Sequence, residues 1–332
     1  MLKIGINGFG RIGRLAFRCA WDRPDWEIIQ INDPAGDAST WSHLLNFDSI
    51  QGKWKHASTS DEETIVVDER RISCTQNKHL KDTDWSNCDL VIEASGQMKT
   101  TELLNEYLDQ GVGQVVVTAP IKEKGILNLV VGVNHHLFDR EQPPIVTASS
   151  CTTNCIAPVI KIIHEQFRII HGSITTVHDI TNTQVVLDSG HKDLRRARSS
   201  GSNLIPTTTG SAKAIAQIFP ELEGKLNGHA IRVPLANASL TDCVFELNNK
   251  TSSVEVNNAL KQSAEGELKG ILGFEERPLV STDYIGDSRS SIVDALSTMV
   301  VDETQLKLYL WYDNEWGYSN RVIDLIEYIS NA

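Results

Sequence analysis

The 332-residue sequence lacks the features that would place it in a membrane, outside the cell or on nucleic acid. No uninterrupted apolar run approaches the length of a membrane span, and the N-terminus enters a strand-like stretch without a signal-peptide pattern. The six cysteines are scattered, which favours free thiols in a reducing cytoplasm, and their spacing matches no zinc site. Acidic residues outnumber basic ones, and a net charge of −12 disfavours nucleic acid as the main partner. We therefore expect a cytoplasmic protein with no metal, long enough for two domains.

A glycine-rich segment near the N-terminus is typical of dinucleotide binding. Gly8, Gly10 and Gly13 lie between an apolar strand pattern and a helical pattern, the context in which GxGxxG becomes informative. These glycines permit a tight turn and let a pyrophosphate approach backbone N–H groups. Asp33 follows Gly13 by twenty residues, where a carboxylate binds the ribose 2′-hydroxyl of NAD and repels the 2′-phosphate of NADP. The alternative is a turn aspartate, because Pro-Ala-Gly follows it.

Apolar runs alternate with helical patterns over the first half and predict a doubly wound, parallel α/β sheet. We predict strands at residues 2–6, 26–32, 89–93, 114–118, 129–133 and 145–147, and a helix at 101–108. Residues 1–150 are therefore predicted to form an NAD-binding Rossmann domain.

The pattern changes after residue 150 and predicts an α+β domain with a largely antiparallel sheet over residues 151–316. A final helix, 317–330, is expected to pack back on the first domain. The other predicted elements are helices 151–167, 211–219 and 253–265, strands 173–180, 230–236 and 239–247, and a hairpin of 296–301 with 305–312. A long polar stretch, 181–206, contains a basic cluster that is either a solvated patch or a contact for phosphate or a second subunit.

Cys151 is predicted to lie in the first turn of a helix, after the N-cap candidates Ser149 and Ser150. A free cysteine has a pKa of about 8.5, and a helix end supplies only ~0.3–1 kcal/mol toward the thiolate. A cation is therefore needed, and His178 at the end of the next predicted strand offers one. The alternative is a small buried core cysteine.

These pieces together suggest oxidation of a phosphorylated aldehyde. A thiolate adduct of an aldehyde is a tetrahedral thiohemiacetal, and loss of hydride to nicotinamide converts it to a thioester. Inorganic phosphate can then attack the thioester, which retains the energy of oxidation.

From end to end, the sequence resembles the phosphorylating glyceraldehyde-3-phosphate dehydrogenases. The resemblance implies a Rossmann domain plus a catalytic α+β domain in a homotetramer, with NAD, glyceraldehyde 3-phosphate and inorganic phosphate as partners. The matching motifs are GINGFGRIGR at 5–14, NDP at 32–34, ASSCTTNC at 148–155, TVH at 176–178, PTTTG at 206–210, RVP at 232–234 and WYDNEWGY at 311–318.

The same resemblance implies a role for individual residues. Cys151 matches the nucleophile and His178 its base, with the Cys151 backbone N–H and His178 holding the oxyanion. Cofactor contacts are implied for Gly8, Gly10, Arg11, Ile12, Asp33, Thr118, Asn314 and Tyr318. Anion contacts are implied for Thr181, Arg196 and Arg232 around the substrate phosphate and the neighbouring anion pocket, with Arg195 as the alternative to Arg196 in this register. They are also implied for Ser150, Thr152, Thr209 and Gly210 at the attacking phosphate. On the adenine side, Asn77 and Lys78 are both candidates.

The sequence departs from the common family pattern in several places. Asp179 follows His178 where most members have Ala or Ser, and Leu235 follows the RVP motif where most have Thr. These departures resemble the branch associated with arsenic-resistance transporters, in which arsenate takes the place of phosphate. Erythrose 4-phosphate is another possible substrate for the same chemistry. A non-catalytic NAD- or RNA-binding module and a cysteine hydrolase are rival interpretations from other classes.

Overall fold

The computed structural model describes residues 1–139, 141 and 144–332. Contacts divide the chain into two compact units. The first contains residues 1–129, 135–149 and 319–332, and the second contains residues 130–134 and 150–318.

The first unit is built on a nine-stranded sheet in the order β3-β4-β5-β2-β1-β6-β7-β9-β8. Strands from β5 to β8 in this order run parallel, and β3, β4 and β5 form an antiparallel edge. The strands are β1 Leu2–Asn7, β2 Trp26–Asn32, β3 Ser58–Ser60, β4 Thr64–Val67, β5 Arg70–Thr75, β6 Leu90–Glu93, β7 Gln114–Val117, β8 Leu127–Asn128 and β9 Ile145–Thr147. The helices are α1 Arg11–Ala20, α2 Ala38–Asn46 and α3 Thr101–Leu108.

The central strands β6 and β7 carry the apolar runs 90–92 and 115–117, which is typical of a parallel sheet that is covered on both faces. Every residue of β6 is buried, and Val115 and Val116 of β7 have no exposed surface. The order in which strands are added to the sheet reverses between β1 and β6, since β2 lies on one side of β1 and β7 lies on the far side of β6. In a sheet of this kind the ligand crevice opens at the carboxyl ends of those two strands.

The second unit is built on an eight-stranded, mainly antiparallel sheet, as predicted. Its path is β11-β12-β10-β13-β17-β15-β14, with β16 paired to β17. The strands are β10 Ile169–His178, β11 Ile205–Thr208, β12 Leu226–Arg232, β13 Ser239–Leu247, β14 Leu272–Glu275, β15 Ser291–Asp294, β16 Met299–Val301 and β17 Gln305–Tyr312. The helices are α4 Cys151–Phe167, α5 Ser211–Ile218 and α6 Ser253–Glu265.

Helix α4 is the core element of the second unit. Its predicted apolar face is buried: Ile156, Val159, Ile160 and Ile163 belong to one hydrophobic cluster with inward-facing residues of β13 and β17. The last helix, α7 Trp316–Asn331, begins in the second unit, and its residues from Ser319 onward group with the first. Among the described residues, every helix is too short or too polar to span a bilayer.

The predicted strand at 129–133 is wrong. The backbone N–H groups of Val133 and Asn134 both donate to the Val130 carbonyl, which makes a turn, and Gly132 has a φ of 83°. Val130 and Val133 are apolar because they pack into the core of the second unit, not because they belong to a sheet. The sequence interpretation also missed α2 and the short strands β3, β4 and β5.

Candidate active site

The chain turns sharply before α4 and places Cys151 at the start of that helix. Ser149 has a φ of 56°, in the left-handed region that few residues other than glycine adopt. Ser150 is the N-cap, and its hydroxyl accepts a 3.2 Å hydrogen bond from the backbone N–H of Thr153. Cys151 is the first helical residue and is partly exposed. Its thiol therefore lies at the positive end of the helix dipole.

His178, the last residue of β10, points its ring at this cysteine. His178 Nε2 lies 3.9 Å from Cys151 Sγ, and His178 is 5% exposed. A sulfur and an imidazole nitrogen at this separation can share one proton, which is the arrangement of an activated nucleophile. The structure thus brings together the two side chains that the sequence pattern paired.

The other ring nitrogen of His178 faces a buried carboxylate. Asp179 is 1% exposed, and its Oδ1 lies 2.6 Å from His178 Nδ1. The amide of Asn314 donates to Asp179 Oδ2 at 2.9 Å, and the hydroxyl of Ser239 donates to Oδ1 at 3.2 Å. Because an ionised carboxylate only accepts hydrogen bonds, Nδ1 carries the hydrogen of this pair. Nε2 is then the nitrogen that exchanges a proton with Cys151.

These surroundings make His178 a stronger base than an ordinary imidazole. Burial disfavours the charged ring, but the hydrogen bonds with Asp179 and Cys151 outweigh burial and raise the pKa of His178 to about 9. The positive charge of Arg232 opposes that rise. At neutral pH the ring is consequently an imidazolium, which supplies the cation that a thiolate at residue 151 requires.

Arg232 lies beside His178 because β12 pairs in parallel with β10, in a register that sets the two residues opposite each other. Its Nη1 lies 3.1 Å from the Asp179 carbonyl oxygen and 2.7 Å from His178 Nδ1. A guanidinium only donates, so the second contact is not a hydrogen bond while Nδ1 carries a hydrogen. The arginine donates to the Asp179 carbonyl oxygen, which also lies 2.9 Å from Nδ1, and the Nδ1–H is shared between this carbonyl and the carboxylate oxygen at 2.6 Å.

Thr181 and Arg196, on the polar segment after β10, meet through a third side chain. Thr183 Oγ1 lies 3.0 Å from Thr181 Oγ1 and accepts a 2.9 Å hydrogen bond from Arg196 Nη1. Asp193 Oδ2 lies 3.5 Å from Arg196 Nε. Two hydroxyls and a guanidinium in one cluster suit an anion such as a phosphate group.

The residues predicted to hold the attacking phosphate occupy the starts of two helices. Ser150 and Thr152 begin α4, and Thr209 precedes Gly210, the N-cap of α5. Backbone N–H groups at such helix starts bind anions. Thr152 differs from the others because it is buried and its Oγ1 lies 2.9 Å from the Tyr312 hydroxyl. Its hydroxyl is therefore bound within the protein.

The glycine loop between β1 and α1 has the geometry that a dinucleotide requires. Gly8 has a φ of 89°, and a Cβ there would lie 2.3 Å from the backbone N of Ser95. A Cβ at Gly13 would lie 2.0 Å from the Gly8 carbonyl oxygen. Gly10 differs, because open space surrounds the position of its missing Cβ. Glycine is therefore required at positions 8 and 13 for steric reasons, whereas the space beside Gly10, at the start of the helix, is open to a pyrophosphate.

Asp33 and Thr118 follow the carboxyl ends of β2 and β7. Asp33 accepts a 2.7 Å hydrogen bond from the N–H of Phe9 in the glycine loop and a 2.8 Å bond from the N–H of Ala35. The second bond is that of a turn aspartate, so the two interpretations of Asp33 are compatible. Thr118 donates to the Glu93 carbonyl oxygen at 3.1 Å. The residues at this crevice therefore fit NAD.

Two other predicted cofactor contacts lie on the first turn of α1. Arg11 forms an ion pair with Asp48, and Ile12 is partly buried. On the adenine side, the Asn77 amide donates to the Asp82 carbonyl oxygen at 2.8 Å, whereas Lys78 is exposed. Asn77 is thus a structural residue of its own loop, and Lys78 is the candidate that presents a cation.

Comparison with known proteins agrees with this geometry. The NAD-binding domain model of glyceraldehyde 3-phosphate dehydrogenase matches residues 2–101, and the C-terminal domain model of the same enzyme matches residues 150–314. The chain belongs to the glyceraldehyde 3-phosphate dehydrogenase family. Glyceraldehyde-3-phosphate dehydrogenase 3 of Nostoc sp. is 55% identical over 98% of this chain and 97% of its own length. The enzyme of Geobacillus stearothermophilus is 47% identical over 99% of this chain and 98% of its own length.

As a member of this family, the chain is an NAD-dependent oxidoreductase. The last two predicted cofactor residues, Asn314 and Tyr318, are both buried in the second unit. Burial and, after it, the charge of Cys151 raise the pKa of Tyr318 well above its usual range. The Asn314 side chain is held by Asp179 and Ser239, whose hydroxyl lies 3.3 Å from Asn314 Oδ1.

The sequence interpretation missed the residues that surround the Cys151–His178 pair. Ser239 lies in no motif that marks it, and Tyr312, although it lies in the WYDNEWGY motif, was given no role of its own. Asp179 stands out in the sequence only as a departure from the family pattern.

Proposed function

We propose that this dehydrogenase oxidises glyceraldehyde 3-phosphate to 1,3-bisphosphoglycerate with NAD and inorganic phosphate, through a thiohemiacetal and a thioester on Cys151. The observation that carries the proposal is the 3.9 Å approach of Cys151 Sγ to a buried imidazole whose pKa is raised to about 9. Burial disfavours the charged ring, but the bonds with Asp179 and Cys151 raise the pKa of His178, so Nε2 is placed to take up the sulfur proton.

In the first step, the Cys151 thiolate attacks the aldehyde carbon and the carbonyl oxygen gains negative charge. The imidazolium of His178 and the Cys151 backbone N–H are the donors that stabilise this oxygen. Proton transfer from Nε2 to the oxygen gives the thiohemiacetal and leaves His178 neutral.

In the second step, His178 removes the hydroxyl proton of the thiohemiacetal, acting as general base. NAD, held by the glycine loop and by Asp33 and Thr118, supplies the hydride acceptor when bound. Loss of hydride leaves the carbon as a thioester. The hydroxyl proton stays on His178 Nε2, and the contact of Nδ1 with Asp179 stabilises the charged ring.

In the third step, phosphate attacks the thioester carbon, and the Cys151 thiolate leaves. We assign the attacking phosphate to the helix starts at Ser150 and at Thr209 and Gly210, with Thr152 as the remaining predicted contact. Thr181, Arg196 and Arg232 are assigned to the anion pockets around the phosphate of the substrate. Arg232 also faces the developing charge, because its guanidinium lies beside His178.

The predicted domain division is also part of this proposal. Residues 1–150 bind the cofactor and residues 151–316 carry the chemistry, with the helix at 317–330 as a C-terminal addition to the first domain. The grouping of residues 319–332 with the first unit supports this division.

We further propose a cytoplasmic homotetramer. The polar segment after β10 exposes four large apolar side chains, at 69–83% of their surface, which favours a subunit contact there. These are Val186, Leu187, Leu194 and Leu204. Light scattering of the purified protein tests this directly: a mass near four times 36.8 kDa is expected, and a monomer contradicts it.

The chemistry is tested with Cys151→Ala. We expect NADH formation from glyceraldehyde 3-phosphate and phosphate to fall by about 10³-fold or more, because the covalent intermediate cannot form. NAD binding, followed by titration, stays intact. Cys19→Ala is the matched control, since Cys19 is also partly exposed but lies on α1. Comparable activity in both variants would contradict the proposal.

Substrate and acceptor are tested with the wild-type enzyme. We expect glyceraldehyde 3-phosphate to be preferred over erythrose 4-phosphate, and NADH formation to depend on phosphate. Replacing phosphate with arsenate tests the arsenate alternative, because the two anions are alike in shape and charge. Equal turnover of erythrose 4-phosphate without added phosphate would favour the alternative in which water resolves the thioester.

A further inference from the structure

The side chain of Asp179 touches none of the reacting atoms in the steps above, yet it contacts His178, Asn314 and Ser239. We propose that Asp179 is a positioning residue whose buried carboxylate fixes the tautomer and charge of His178, and so generates the Cys151 thiolate. The inference deepens the proposed function and rests on it for the nature of the reaction. Together with Cys151 and His178, Asp179 would form a Cys–His–Asp triad. Most members of the family have Ala or Ser at this position.

The first observation is that the carboxylate has a fixed orientation. Its Oδ1 lies 2.6 Å from His178 Nδ1, and its Oδ2 accepts the 2.9 Å bond from Asn314. Ser239 Oγ lies 3.2 Å both from Asp179 Oδ1 and from the Asp179 backbone N. With both oxygens engaged and 1% of the residue exposed, the carboxylate cannot turn away from the ring without breaking a buried bond.

The second observation is the balance of charge around the ring. Cys151 faces His178 from α4, Arg232 faces it from β12, and the Tyr312 ring lies 6.2 Å away on β17. Arg232 is positive and opposes a charged imidazole. Asp179 supplies the negative charge on the Nδ1 side of the ring. Without that charge, a buried ring beside a guanidinium would favour its neutral form.

The third observation concerns the tautomer. The Asp179 carbonyl oxygen lies 2.9 Å from Nδ1 and has two lone pairs, so it accepts from both Nδ1 and Arg232. The carbonyl is a neutral acceptor, whereas the carboxylate stabilises a charged ring as well as orienting it. Removing the carboxylate therefore leaves the ring oriented but less basic, so more of the proton stays on sulfur.

The experiment measures alkylation of Cys151 by iodoacetamide from pH 5 to pH 10, which needs neither aldehyde nor NAD. For Asp179→Asn we expect the midpoint of the rate profile to move about one pH unit higher, with about tenfold slower alkylation at pH values below the wild-type midpoint. Asp242→Asn is the control, because it removes one partly buried carboxylate from the same unit, where it pairs with Lys307 at 2.6 Å. Its profile should match the wild type.

A double-mutant cycle separates positioning from a general structural role. In a His178→Asn background, Asp179→Asn should cause no further fall in alkylation, because the carboxylate acts through the imidazole. An equal fall in both backgrounds, or an unshifted midpoint in Asp179→Asn, would overturn the inference. If Asp179→Asn does not fold, Asp179→Ser, which keeps a hydroxyl for Asn314, is measured in its place with the same expected shift.

The two proposals fail differently. If Asp179→Asn shifts the alkylation profile but the wild-type enzyme forms no NADH, the role of Asp179 stands and the proposed reaction is refuted. If the wild-type enzyme forms NADH but Asp179→Asn leaves the alkylation profile unshifted, the reaction stands and the role of Asp179 is refuted.

Discussion

The starts of α1 and α4 share one construction, a strand followed by a tight turn and a helix, but they use it in opposite ways. Helix α1 begins after Gly10, which offers no side-chain cap, and no acidic residue lies in its first turn. Helix α4 begins after Ser150, whose hydroxyl occupies the N–H of Thr153. The backbone N–H groups at the start of α1 are available to a bound ligand, whereas the start of α4 stabilises a negative charge on its own first residue, Cys151.

The difference shows what each region depends on. The glycine loop depends on absent side chains, since a Cβ at Gly8 or Gly13 would overlap backbone atoms. The Cys151 region depends on side chains that are present: the buried His178 and Asp179 and the partly buried Arg232. We therefore expect added side-chain volume to impair the glycine loop, and a change of charge to impair the network around Cys151.

The largest effect is expected from added volume in the loop. Gly8→Ala places a Cβ 2.3 Å from the backbone of Ser95 at a φ of 89°. Strain and overlap of this kind should lower the free energy of unfolding by roughly 2–5 kcal/mol and abolish tight NAD binding. Thermal unfolding and NAD titration measure both changes.

Gly10→Ala is the matched comparison, because no atom lies within 4 Å of the added Cβ. Its melting temperature should stay near that of the wild type, while NAD affinity falls because the methyl group occupies the approach to the helix start. If the two variants lose stability equally, the loop does not respond to volume in the way we describe.

The second prediction concerns charge in the network. Although burial opposes it, bonding to Asp179 and Cys151 raises the pKa of His178 from 6.5 to about 9. The stabilising contribution is therefore fully present below about pH 6.5 and is lost as the pH rises through about 9. Between pH 6 and pH 10 we expect a loss of about 1–3 kcal/mol, measured by urea unfolding.

His178→Gln should remove this part of the pH dependence, so that its stability differs from the wild type more at pH 6 than at pH 10. His171→Gln, at an exposed position on the same strand, serves as the control and should keep the wild-type slope. A wild-type slope in His178→Gln would show that other groups govern this pH range.

Much of the fold and the reactive pair could be predicted from the sequence because both rest on local patterns. Helix periodicity predicted α4 and α6 with their observed bounds, and strand endings predicted where Cys151 and His178 lie. Residues 129–133 misled the same reasoning, since an apolar run does not reveal whether it belongs to a strand or to a buried turn.

The environment of His178 could not be predicted, because it depends on sheet register. Neighbouring residues of a strand point to opposite faces, so the alternation argues against a His178–Asp179 contact. Asp179 lies one residue beyond the end of β10, where this alternation stops, and its carboxylate can return to the ring. Ser239 reaches the same carboxylate from the first residue of β13, at the end of an antiparallel pairing with β10 that no local pattern specifies.

The smallest effect is expected at Asp33, a charged residue that contacts the glycine loop and so combines a feature of each region. Asp33 accepts the N–H of Phe9 at 2.7 Å, so its carboxylate supports the loop, and the sequence pattern predicts that it also binds the ribose of NAD. Asp33→Asn keeps an oxygen for the Phe9 bond but removes the charge that repels a 2′-phosphate. We expect the preference for NAD over NADP, measured as a ratio of kcat/KM values, to fall about tenfold. Asp37→Asn, at the exposed N-cap of α2, should leave the ratio unchanged. An unaltered ratio in Asp33→Asn would mean that Asp33 only supports the loop, and that cofactor choice in this unit depends on shape alone.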